Sequence, residues 1–361
     1  MKLYVGTYTR PAPYLASANG RGLYILDFDE TAGTLAMAGE VPGIENPSYL
    51  SISPDGRNLH AVSEVFEWQE GLVSSYAIEP GTGALRYQGV QGSRGTVACY
   101  LTMDSRSRAA FVANYWSGSV AMFPARPDGS LAEASSVDQH EGSGPEAARQ
   151  EGPHAHCIVI SPDDRFAFSA DLGADLIVGY RIDHATGTLT RHQALPMPAG
   201  SGARHLVFSP DARHAYVICE LDSSIAALGY DAPSGELGFI DAWPMLPAGF
   251  QGDSHCADIQ LHPSGLFVYG SNRGHDSITM FRVDPSTGRL TLIGHRSTEG
   301  RTPRTFAISP DGRFLLAANQ DSDTVVIMPI DPDTGDLGAT VSVARVPTPV
   351  CLRFAPGPAA S

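Results

Sequence analysis

The sequence predicts an all-β protein, a seven-bladed β-propeller with four antiparallel strands per blade. Three observations carry that prediction. One hairpin unit recurs six times, a second follows it seven times, and the two chain ends together supply the missing half.

The first unit reads LSISPDGRNLHAVSE at 50–64 and returns at 101–115, 158–172, 206–220, 259–273 and 306–320. Each copy is an apolar run, a tight turn and a second run rich in β-branched or aromatic residues. Pro-Asp-Gly chemistry at the turn makes it a hairpin. The second unit occupies 22–41, 71–90, 118–137, 175–194, 223–242, 276–295 and 323–342, with a T/S-G-x-L kind of turn between two strands. CLRFAP at 351–356 resembles the opening strand of a first unit, and MKLYVGTYT at 1–9 resembles its closing strand. One blade is therefore closed jointly by the N- and C-termini, which leaves no open ring edge. Residues 1–361 then form a single domain. A solenoid would not need complementary half-repeats at its ends.

Composition narrows the function. Hydrophobic residues are 42% and charged residues 17%, enough apolar material for a large core. The net charge of −15 argues against nucleic acid and against an anionic membrane as partners. A small anionic ligand requires arginines gathered locally against that field. The N-terminus MKLYVGTYTRPAPY has no uninterrupted apolar run of the signal-peptide kind, and no stretch is long enough to span a bilayer. Five cysteines without paired spacing point to free thiols in a reducing compartment, so a cytoplasmic location is expected.

Aligning the copies on the hairpin turn exposes three registers. Five residues before the turn serine or its equivalent stand Ser48, Cys99, His156, Arg204, Ala257, Arg304 and Val350. Two residues earlier stand Asn46, Val97, His154, Gly202, His255, Thr302 and Thr348. The second strand ends on Glu64, Tyr115, Leu172, Glu220, Arg273, Gln320 and, from the N-terminus, Tyr8. In a propeller blade the first strand lines the central channel, and these positions share one mouth. The turns stay constant while the mouth diverges into His, Arg and Glu, which is how a repeat fold builds one site.

His154 and His156 lie two apart, so an extended strand sends both to the same side. Such an H-x-H pair, with His255 in register, has metal-ligand spacing, but the neighbouring arginines would repel a divalent cation. Three arginines at one mouth of an acidic protein suggest an anion clamp. The Gly-rich segment 138–154, DQHEGSGPEAARQEGPH, is placed to fold over that mouth. No G-x-S-x-G elbow, P-loop or dinucleotide fingerprint is present, so neither a serine hydrolase nor a nucleotide enzyme is signalled.

The opening KLYVGTYT, the SPDGR turns, the GSGPEAARQEGPHAH loop and the SNRG strand end resemble the lactonase family of seven-bladed propellers. That family includes the propeller-type bacterial 6-phosphogluconolactonase and the fungal carboxymuconate-lactonising enzyme. The resemblance covers essentially the whole chain. It implies a catalytic set of His156, Arg204, Glu220 and Arg273 by motif position. The expected reaction is hydrolysis of a small anionic sugar lactone, 6-phosphogluconolactone to 6-phosphogluconate, at the channel mouth, with no cofactor and no metal. That chemistry needs a tail anchor, an oxyanion stabiliser and a base for water. Arg304 and Arg204 are expected to anchor the tail, Arg273 to meet the oxyanion, and Glu220 or His156 to activate water. His154, His255, Gln320 and Glu64 are expected to contact substrate alongside Arg304. Two alternatives use the same mouth: a cycloisomerase acting on a carboxymuconate-type lactone, and a ligand-binding or docking platform without turnover.

Overall fold

A tight hairpin recurs because its turn is held by the same side chains each time. In the copy at 161–166, Ser161 Oγ donates to Asp163 Oδ1 at 2.7 Å and accepts the Phe166 backbone N–H at 3.0 Å. Ser53 with Asp55, Ser209 with Asp211 and Ser309 with Asp311 repeat the serine–aspartate bond at 2.6 Å. Serine and aspartate thus close the turn before any tertiary packing is made.

The structure, a computed structural model, describes residues 1–15 and 17–356. It contains seven four-stranded antiparallel sheets. Six are built in chain order within 49–92, 98–139, 155–196, 203–244, 255–297 and 303–345, and are termed blades 2 to 7. Blade 1 takes its innermost strand from the C-terminus, Pro349–Phe354, then Lys2–Thr7, Gly22–Asp29 and Thr34–Pro42. The closing pair runs in the register Leu3↔Phe354, Val5↔Leu352. The split blade expected from the sequence is therefore present. Residues 357–361 of the expected single domain lie outside the described residues.

The second strand of each blade carries most of the core. Asn58–Ser63, Ala109–Asn114, Phe166–Asp171 and His214–Cys219 are buried at every position. Strands covered on both faces by neighbouring blades need apolar residues on both faces, which is why these read as near-continuous hydrophobic runs. Outer strands such as Thr34–Pro42 alternate between exposed and half-buried.

Blades interlock through the outer turns. Gly235 of blade 5 has φ +78°, and a Cβ there would stand 2.2 Å from the Phe166 ring of blade 4. Only glycine supplies both the left-handed backbone and the space for that ring.

Candidate active site

One backbone irregularity aims the functional side chains. In blade 4, Ala155 pairs with Asp171 and Cys157 with Ala170, so His156 is the extra residue of a β-bulge. The same skip isolates Cys99 in blade 3, Arg204 in blade 5, Arg304 in blade 7 and Val350 in blade 1. In blade 6 the bulge takes in Ala257 and Asp258. A bulged residue leaves the pleat and is re-aimed, here toward the axis. The register singled out from the sequence is therefore the bulge register.

The residue two before the bulge is left-handed in five blades: Asn46, Val97, Gly202, Thr302 and Thr348, with φ between +39° and +65°. His154 and His255 are the two copies outside that set. Both line the mouth cavity.

That cavity has a volume of about 430 Å³. Glu220 lines it as a buried carboxylate, 4% exposed. One carboxylate oxygen, Oε2, accepts Arg204 Nε at 2.9 Å and faces Arg273 Nη2 at 2.8 Å. The other, Oε1, accepts Arg149 Nη2 at 2.6 Å. Burial alone would raise the Glu220 carboxyl, but Arg273, Arg204 and Arg149 outweigh it and hold it well below the usual carboxylate range. Burial pushes Arg273 down to about 10, against the pull of Glu220, so it stays a cation at neutral pH. Burial, helped by Arg204 and His205, pushes His156 well below the ordinary imidazole value, so it is neutral.

Across the cavity Arg304 lies over the rings of Tyr8 and Tyr14, 5.4 and 5.2 Å from their centroids. Its Nη2 is 3.6 Å from Glu64 Oε1. Glu64 Oε1 also accepts the Tyr8 hydroxyl at 3.0 Å and the Tyr14 hydroxyl. His154 stacks on Tyr115, with centroids 4.6 Å apart and planes 12° apart, and His156 meets the same ring nearly edge-on at 5.3 Å. The site thus sets four guanidiniums against two buried carboxylates, with Glu151 at the exposed rim. An anionic substrate with an electrophilic carbon suits that balance.

The sequence profile described as "Lactonase, 7-bladed beta-propeller" matches residues 2–354. The chain belongs to this lactonase family. The lactonase is 33% identical over 351 residues to a 6-phosphogluconolactonase of Bacillus subtilis, covering 97% of each chain. It is 32% identical to a 6-phosphogluconolactonase of Formosa agariphila, over 85% of this chain and 86% of that one. Among solved structures it is similar to a periplasmic gluconolactonase of Pseudomonas aeruginosa, with TM-score 0.91 and 35% identity over 99% of both chains. A putative 6-phosphogluconolactonase of Bacteroides fragilis gives TM-score 0.89 and 35% identity, over 98% of this chain and 97% of that one.

Of the nine side chains expected at the lactonase mouth, seven line the large cavity: Glu64, His154, His156, Glu220, His255, Arg273 and Arg304. Arg204 does not. It lies under the floor, 2% exposed, with Nε on Glu220 and Nη1 on the Ala257 carbonyl. Its expected role as a tail anchor is corrected to that of a support for Glu220. Gln320 is a second correction. It opens a 3₁₀ turn, Gln320–Ser322, which carries its amide to Asp321 Oδ1 at 2.9 Å. It lines a separate cleft with Arg301, Asp321 and Asp323.

Residues outside the repeat complete the cavity. Of the segment 138–154, Ala148, Arg149, Glu151 and His154 line the mouth, while Asp138 and Gln139 end the outer strand of blade 3; the loop is pinned by buried Gln150, whose Nε2 donates to the Leu172 carbonyl at 2.8 Å. It delivers Arg149, which the repeat comparison could not find because no other blade carries an equivalent loop. Tyr14, Phe66 and Trp116 add an aromatic wall, with neighbouring centroids 5.7 and 5.8 Å apart. Among the described residues, no group of three or more His, Cys, Asp or Glu is placed to hold a metal ion. Among the described residues no helix is long and apolar enough to cross a membrane.

Proposed function

We propose that this lactonase hydrolyses 6-phosphogluconolactone to 6-phosphogluconate at the mouth cavity. The observation that carries the reading is the convergence of Arg149, Arg204 and Arg273 on Glu220, opposite Arg304, in a chain whose net charge is −15. So many cations in an acidic protein are gathered for an anion. Arg149, at the loop, takes the phosphate tail near solvent. Arg273 and Arg304 reach the floor and meet the oxyanion that develops on the lactone carbonyl. Glu220 stays ionised and holds the arginines in place. His154 and Tyr115, with Trp116 at the rim, give the sugar ring a flat surface. Five buried, free thiols support a reducing compartment, the cytoplasm, as its location.

The test is ring opening of 6-phosphogluconolactone by purified protein, followed by acid release above the uncatalysed rate. Arg273→Ala should lower turnover by about a hundredfold or more. Unchanged turnover in a folded variant removes that role. A carboxymuconate-type lactone assayed in parallel distinguishes cycloisomerisation. Saturable binding of both compounds without turnover would make the propeller a binding platform.

A further inference from the structure

Below the mouth cavity, and sharing Glu64, Cys99, His156 and Arg304 with it, lies a second space of about 10 Å³. That is room for about one water. Its wall is the bulge register seen end-on, Ser48, Cys99, His156, Arg204, Arg304 and Val350, together with Glu64 and the next layer down the axis. Two wall oxygens have no hydrogen-bond partner among the described residues, Ser48 Oγ and Glu64 Oε2. Glu64 is 3% exposed. A carboxylate oxygen buried so deeply without a donor is costly unless a small donor is recruited to it.

The two buried carboxylates of the site therefore differ. Glu220 has both oxygens occupied by guanidiniums. Glu64 uses Oε1 for Tyr8, Tyr14 and Arg304, and leaves Oε2 without a partner among the described residues. A general base needs a free lone pair within reach of a water, and a path from that water to the carbonyl carbon. Of the four residues that border both spaces, Glu64 is the carboxylate, and its Oε2 has no partner among the described residues.

We propose that Glu64 is the general base of lactone hydrolysis, acting on a water held between its Oε2, Ser48 Oγ and the His156 ring. The proposal rests on the lactonase reading above. In the addition step the water oxygen bonds to the lactone carbonyl carbon. One water proton passes to Glu64 Oε2, and the carbonyl electron pair moves onto oxygen beside Arg273 and Arg304. In the second step that pair returns, the bond from the carbonyl carbon to the ring oxygen breaks, and the ring oxygen takes the proton from Glu64. One water is consumed, one ester bond is opened, Glu64 ends ionised, and nothing is oxidised or reduced.

The groups facing Glu64 are Tyr8 from blade 1, Tyr14 from the loop after it, Cys99 from blade 3, His156 from blade 4, Arg204 from blade 5 and Arg304 from blade 7.

The experiment is steady-state kinetics on 6-phosphogluconolactone for wild type, Glu64→Gln and Ser48→Ala, with calorimetric binding of 6-phosphogluconate to each. Glu64→Gln is expected to lower kcat by about a hundredfold or more and to keep product binding within a few-fold. Ser48→Ala, which removes one of the groups holding the water, is expected to lower kcat by about tenfold with product binding kept. Glu64→Gln within about threefold of wild type in kcat overturns the assignment and leaves the lactonase reading intact. A wild type inert toward the lactone overturns the lactonase reading instead. Should Glu64→Gln not fold, Ser48→Ala decides alone, and an unchanged kcat counts against the Glu64 water.

Discussion

Arg149 and Glu220 stand 71 residues apart in the chain, yet their side chains meet at 2.6 Å. The contact ties the loop between blades 3 and 4 to the end of the second strand of blade 5. It makes the lid of the cavity part of the same charge cluster as its floor.

Removing this tie should act on substrate capture more than on chemistry. Arg149→Ala is expected to raise KM about tenfold, the equivalent of ~1.4 kcal/mol, with a smaller change in kcat. It should also make the 140–153 segment cleavable by protease at concentrations that leave the wild type intact. Kinetics and limited proteolysis check both. A tenfold loss in kcat at constant KM would assign Arg149 to the reacting centre instead.

Glu220 makes acid stability predictable. Its folded carboxyl sits well below the ordinary glutamate value, so the unfolded chain binds more protons than the folded one between the two values. Stability from this group is therefore fully present above about pH 4.3 and is lost as pH falls through the folded value. His156, also depressed, adds the same sign higher up. Its contribution is present above about pH 6.5 and declines as pH falls below that. Urea melts from pH 7 to pH 3 should show falling stability throughout. Glu220→Gln leaves three guanidiniums around a neutral amide, and should cost about 3 kcal/mol or more at pH 7. Its curve should be flatter than wild type below about pH 4.3. Parallel curves would mean that Glu220 is not the linked group.

The outer turn of blade 5 offers a test of packing apart from chemistry. Gly235→Ala forces a Cβ into a left-handed backbone and to within 2.2 Å of the Phe166 ring. The expected cost is more than about 1 kcal/mol, read as a lower Tm with kcat/KM unchanged at 25 °C. A Tm equal to wild type would show that the ring moves aside freely.

Much of this was legible because repetition supplies its own internal comparison. Ser48, Cys99, His156, Arg204 and Arg304 could be placed at one level of the axis by counting back from a turn whose Ser and Asp bond each other in most copies. What counting could not reveal is the bulge that turns Cys99, His156, Arg204 and Arg304 inward, since an extra residue shared by those copies leaves no mark on their spacing. Arg204 and Arg304 share a register, yet of the two only Arg304 lines the mouth cavity. The difference comes from a cross-blade partner, Glu220, which captures Arg204. Gln320 failed for a local reason, because its amide is drawn to Asp321 within the 3₁₀ turn Gln320–Ser322. Arg149 and Tyr14 lie in segments with no counterpart in other blades, so no alignment of copies could assign them a place.

Val350 walls the small axial space, and it belongs to the strand Pro349–Phe354 that completes blade 1. The floor of the site therefore shares a wall with the seam that shuts the ring, where Leu3 pairs with Phe354 and Val5 with Leu352. A slip of that seam by one residue would turn Val350 away from the axis, so the shape of the pocket and the closure of the propeller stand or fall together.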